Sequence, residues 1–153
     1  MENLEKLKLW VDEKIPQRQE RLTNYVKFVQ GKVAEFIVNF PDMDSREATD
    51  SYINFANDLS SLNKDQDELV TLAQLRGTIN DMNNSEELLK ELIRQRNLHF
   101  KVANESFALP NFGSDDTDIY NADFETDLKR VNYHIAHIKT LTRAIQILEG
   151  KTE

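Results

Sequence analysis

Apolar residues recur along this chain at the spacing of an α-helix almost from end to end. Over 122–149 they stand at Phe124, Leu128, Val131, Ile135, Ile138, Ile145 and Leu148, in steps of three and four broken only at Thr142. That spacing puts them in one stripe along a helix. Leu141 and Ala144 widen the stripe, while Asp127, Lys129, Arg130, Lys139 and Arg143 stay off its centre. Such a face is insoluble alone, so other helices have to cover it.

A second strong stripe covers 17–40, where Leu22, Val26, Val29, Val33, Phe36 and Phe40 form a coiled-coil-like seam broadened by Tyr25 and Ile37. Phe28 and Val38 fall to one side of that seam or behind it. A helix with apolar groups on two sides is central in a bundle or shared with another chain. Phe28 and Val38, with Tyr25 and Trp10, are therefore the candidate protein-interface residues. Gly31 either admits a neighbouring backbone or is merely tolerated, at roughly 1 kcal/mol relative to Ala.

Shorter patterns fill the rest. Leu4, Leu7 and Val11 predict a helix over 2–14, and Pro16 then separates it from the next helix or kinks one long helix. Asp44 or Ser45 caps a helix over 45–62 carrying Tyr52, Phe55, Ala56, Leu59 and Leu62. Leu69, Leu72, Leu75, Ile79 and Met82 open a further helix, and the seven-residue phase runs on through Glu86, Leu89, Ile93, Arg96 and Phe100. One helix over 65–106, about 63 Å long, is the expectation. Its weak point is 83–85, where Ser85 followed by acids is a capping signal. Residues 107–121 read as a loop, with Leu109, Phe112, Ile119 and Tyr120 available to pin it down, and Gly150 as the final C-cap. The predicted fold is all-α: one domain over 1–153, an elongated antiparallel bundle of four to five helices.

Composition narrows the function classes. A hydrophobic share of 39% suits a thin seam better than a thick core, and the four Gly and three Pro interrupt few of the predicted helices. A net charge of −8 argues against general nucleic-acid binding, which needs a basic surface. The absence of cysteine removes disulfides, thiol nucleophiles and zinc–thiolate sites. The first residues alternate charge with apolar groups, and no stretch approaches about 20 apolar residues. The expectation is a cytoplasmic protein with no membrane segment.

Candidate chemistry is sparse. Asp115, Asp116, Asp118, Asp123, Glu125 and Asp127 suggest a calcium loop, but Tyr120 and Asn121 occupy the fifth and sixth positions from Asp116 and Asp127 the twelfth. Acids ahead of a helix N-terminus account for the run. His134 and His137 lie three apart, yet no Glu stands three residues before any histidine, as a helical dimetal site requires. No metal or cofactor is expected. Arg94 to His99 and Arg130 to His137 give Arg-x4-His and Arg-x6-His spacings, which resemble the short ribonuclease signature of HEPN-type helical proteins. The resemblance covers a few residues, and Gln95 and Val131 stand where that family carries Asn, His or Asp. It implies that Arg94 or Arg96 stabilises a phosphorane while His99 exchanges a proton. Otherwise Lys90, Arg94 and Lys101 are a solvated face.

Asp42, Asp44, Glu47, Asp50, Asp58, Asp65, Asp67 and Glu68 could offer a negative surface to a basic, nucleic-acid-handling partner, as an acidic inhibitor would. The reading favoured by the long seams is a non-catalytic assembly or adaptor protein that binds protein, itself included, through a helix face.

Overall fold

The computed structural model describes residues 2–82, 84–106 and 124–151, with side chains omitted at 106 and 124–127. The chain is an all-α helical bundle: α1 (Glu2–Asn39), a 3-10 turn (Phe40–Asp42), α2 (Ser45–Asp81), α3 (Ser85–Ser106) and α4 (Phe124–Leu148). No strand occurs among the described residues.

Helix α1 joins the two segments expected on either side of Pro16, which sits inside it. The reason is one of phase. Leu4, Leu7, Val11 and Ile15 are buried, Leu22 and Val26 are half-buried, and Val29 is buried again, on one unbroken stripe. Pro16 lies about 130° round the helix from that stripe. It is exposed, so the carbonyl it leaves unbonded faces water rather than protein. Helix α2 likewise continues through 63–64, where a break was expected. No Gly or Pro stands there, and Asp65 is anchored to α1, its Oδ2 accepting from Arg21 Nε at 3.0 Å. Asp44 is the N-cap, closing a capping box with Glu47.

The expected single helix over 65–106 is two helices. Met82 is extended, and Asn84, rather than Ser85, caps α3, its Oδ1 accepting from the Glu86 N–H at 2.8 Å. The break resets the phase. Leu88 and Leu92 are fully buried, whereas Leu89 and Ile93 are only partly covered and Phe100 is 47% exposed. The buried face is turned about 100° from the stripe that an unbroken helix would have had.

Contacts such as Asn3 with Leu148, Arg18 with Glu68 and His99 with His134 run the chain up, down, up and down. Helix α4 packs on all three others. The core joins Leu4, Leu7, Val11 and Ile15 of α1 to Leu72, Leu75 and Ile79 of α2, Leu88 and Leu92 of α3, and Leu141, Ala144, Ile145, Ile147 and Leu148 of α4. Asn3 Nδ2 donates to the Leu148 carbonyl at 3.1 Å, fastening the start of α1 to the end of α4. Gly150 ends α4 at φ 72°, with the Lys151 N–H reaching back to the Gln146 carbonyl at 2.8 Å. A Cβ at Gly31 would meet nothing within 4 Å, so close backbone approach within the chain is not its role.

The reset phase has a direct test. Leu88→Ala and Leu92→Ala should each cost about 2–5 kcal/mol in urea unfolding. Phe100→Ala should stay within about 0.5 kcal/mol of wild type. The reverse ranking would restore the unbroken helix.

Candidate functional site

Burial divides the bundle into unequal halves. Between Ile15 and Asp65 the single buried residue among those described is Val29. The same span exposes Phe28, Ile37, Val38, Phe40, Tyr52, Ile53 and Leu59. This is the upper part of the α1–α2 hairpin. At 38 and 37 residues these helices outrun the 22 of α3 by about 22 Å, so α3 is too short to cover them along their length.

The hairpin is pinned internally by polar contacts. Tyr25 OH donates to Asp58 Oδ1 at 3.0 Å, and Lys32 Nζ donates to Asp58 Oδ2 at 2.8 Å. The Lys32 hydrogen bond holds the Asp58 carboxyl below its ordinary value, and the Tyr25 bond adds to that. Desolvation, then the bond to Asp58, raises the Tyr25 phenol. Tyr25 stacks on Phe28 at 5.8 Å between ring centroids, and Lys32 Nζ lies 4.6 Å over the Phe28 ring. Of the four candidate interface residues, Phe28 (51% exposed) and Val38 (73%) therefore stand outward. Tyr25 is half-buried in the hairpin contact, and Trp10 packs against the core.

A second constellation lies between α3 and α4, one layer above Leu92 and Leu141. His99 stacks on His137 with centroids 4.2 Å apart and planes 11° from parallel. His99 Nδ1 and His134 Nδ1 are 2.8 Å apart, a hydrogen bond that needs one protonated and one bare nitrogen. Tyr133 closes the group at 4.4 Å from His137. Burial lowers all three histidines. His137 falls to about 4, helped by His99 and His134, while His99 is further lowered by His134 and His134 by Arg130. His137 Nε2 and Arg96 Nε are buried without a hydrogen-bond partner. Among the described residues no group of three or more His, Cys, Asp or Glu is placed to hold a metal ion.

By spacing alone, His134 and His137 fall on the flank of the stripe that runs through Leu128, Val131 and Ile135. The structure turns α4 the other way: His137 is 4% exposed, whereas Leu128 and Ile135 are 54% and 39% exposed. The signal for this was the pair Leu141 and Ala144, which share the face of His137 and are buried. The two Arg–His spacings do converge here, since His99 meets His134 and His137. Arg94, however, is held by both carboxylate oxygens of Glu91 at 2.7 Å each. The loop at 107–121 and the acidic calcium candidate leading into α4 lie outside the described residues. No described helix is long and apolar enough to cross a membrane.

Asp58 gives the hairpin a defined acid limit. Its folded pKa lies below the ordinary 3.8, so its stabilisation is complete above that value and disappears as pH falls further. Hydrogen exchange along 25–32 and 55–62, corrected for chemical rate, should stay level between about pH 7 and 5 and accelerate only below about 3.8. Acceleration already at pH 5 would remove Asp58 from this role.

Comparison with protein-family models, with curated proteins and with solved structures finds no match for this chain.

Proposed function

We propose that this protein is a non-catalytic helical assembly protein that pairs with a second copy of itself through the upper α1–α2 hairpin. The observation that carries this reading is the imbalance of seven exposed large apolar residues against one buried residue in that hairpin. Two helices of that length joined through so little apolar burial are marginal alone, and a partner supplies the missing cover.

Charge favours a second copy as the partner. Along the upper part of α1, Arg18, Arg21, Lys27 and Lys32 outnumber Glu20 and Glu35. From the turn into α2, Asp42, Asp44, Glu47, Asp50 and Asp58 outnumber Arg46. Arg18, Arg21 and Lys32 are engaged within the chain by Glu68, Asp65 and Asp58. The charge that favours a two-fold arrangement laying α1 of one copy along α2 of the other is therefore Lys27 against Asp42 and Asp50, twice over.

The alternatives draw on groups already engaged. An acidic inhibitor needs its carboxylates free for a basic partner. Here Asp44 caps α2, Asp58 holds Lys32, Asp65 is buried on Arg21 and Glu68 pairs with Arg18 at 3.0 Å. A ribonuclease of the HEPN kind needs Arg94 or Arg96 and His99 open to phosphate, whereas Arg94 is paired with Glu91, Arg96 Nε is buried and His99 is engaged by His134 and His137.

The purified full chain should sediment as a dimer. Phe28→Asp combined with Val38→Asp should shift it to monomer, raising the dissociation constant at least about 100-fold, with the helical circular dichroism retained. Wild-type chain that stays monomeric at about 100 μM would end the self-association reading.

A further inference from the structure

We propose that the layer of His99, His134 and His137 is a proton-operated latch that holds the upper parts of α3 and α4 together near neutral pH and releases them in mild acid. The 2.8 Å contact between the Nδ1 atoms of His99 and His134 depends on one nitrogen offering a lone pair. When both rings are imidazolium, each Nδ1 carries a hydrogen. The bond then becomes a donor–donor clash between like charges. His137 stacks face to face on His99 at 4.2 Å, so a charge on one ring disfavours a charge on the other.

The described residues around the rings offer these charges no relief. From α3 the neighbouring basic group is Arg96, whose Nε is buried. From α4 they are Arg130, which disfavours charge on His134, and Tyr133, which packs on all three rings. Among the described side chains, no carboxylate is one of the groups that shift the three rings. Glu91, the acid two turns below on α3, is bound to Arg94 and Gln95. The charged α2 residues that meet α4, Lys64, Asp67 and Glu68, do so beside Leu128, Lys129, Asn132, Ala136 and Lys139, about 80° or more round α4 from His137.

The linkage sign follows from these positions. The three rings are harder to protonate folded than unfolded, so the unfolded or opened chain binds more protons below about 6.5. Their stabilisation is complete above that value and is lost as pH falls towards about 4, where His137 titrates. The upper part of this window lies above the ordinary carboxylate range, so the latch opens before the salt bridges are protonated.

Opening is local because the layer sits above the apolar core. Leu88 and Leu92 belong to the same buried cluster as Leu141 and Ile145 and stay in it when the rings part. Residues 95–103 and 130–138 are the segments released, and 4–15 and 72–79 are not.

Hydrogen exchange of the full chain, corrected for chemical rate, tests this between pH 7 and 5. Exchange in 95–103 and 130–138 should rise by about tenfold or more, since each unit of pKa lowering is worth about a factor of ten. Exchange in 4–15 should change little. His134→Gln, which removes the Nδ1 partner of His99, should reduce that rise several-fold. NMR titration of the wild-type imidazoles gives a second reading that needs no variant. Rings titrating at or above 6.5, a uniform rise along all four helices, or an unchanged rise in His134→Gln would each overturn the latch.

Discussion

Everything else in this bundle depends on the burial of one face at the end of α4. Leu141, Ala144, Ile145 and Leu148 are the place where α1, α2 and α3 meet a common partner. No other helix packs on three neighbours to the same extent. Ala144, wholly buried, keeps that face low enough for close approach, and the Asn3 bond to the Leu148 carbonyl sets the relative height of α1. Burial of this kind stabilises roughly in proportion to apolar area, so the lower part of the bundle carries most of the apolar contribution.

Away from that end, stabilisation changes character. Along the α1–α2 hairpin, apolar burial gives way to Arg18–Glu68, Arg21–Asp65 and the Tyr25–Asp58–Lys32 contact. Pairs with exposed partners contribute little each. They fix register better than they fix stability, so the exposed apolar residues between them remain the main reservoir of free energy for association. Along α3 and α4 the corresponding layer consists of imidazoles. A buried ring with no carboxylate partner among the described residues stabilises only while neutral, which makes that layer conditional on pH where the leucines below it are not.

The fold class was legible in the sequence because helix period is a local property. Leu4, Leu7 and Val11 already indicated the first turns of α1, Asp44 or Ser45 its successor's cap, and Gly150 the end of α4. Element joints were harder to read. Pro16 looks like a boundary in one dimension, yet it is harmless once its position on the outer face is known. Asn84 and Ser85 looked like a local irregularity because the seven-residue phase appears to survive them. In space the chain turns there and Leu88 and Leu92 take over the buried face.

The candidate sites divide along the same line. Phe28 and Val38 could be picked out from their angle on the helix alone, since an apolar residue off the seam is already out of place. The histidine layer could not. His99 is 35 residues from His134, and their meeting depends on the height at which α3 packs on α4. Sequence by itself determined the helical class, the capping region at 44–45, the Gly150 terminus and the surplus apolar positions, because those follow from spacing and backbone chemistry within a few turns. Tertiary structure alone decided which flank of α4 is buried and which distant polar groups share that flank. A stripe wide enough to satisfy helix period can be rotated by 100° and still look the same in the sequence.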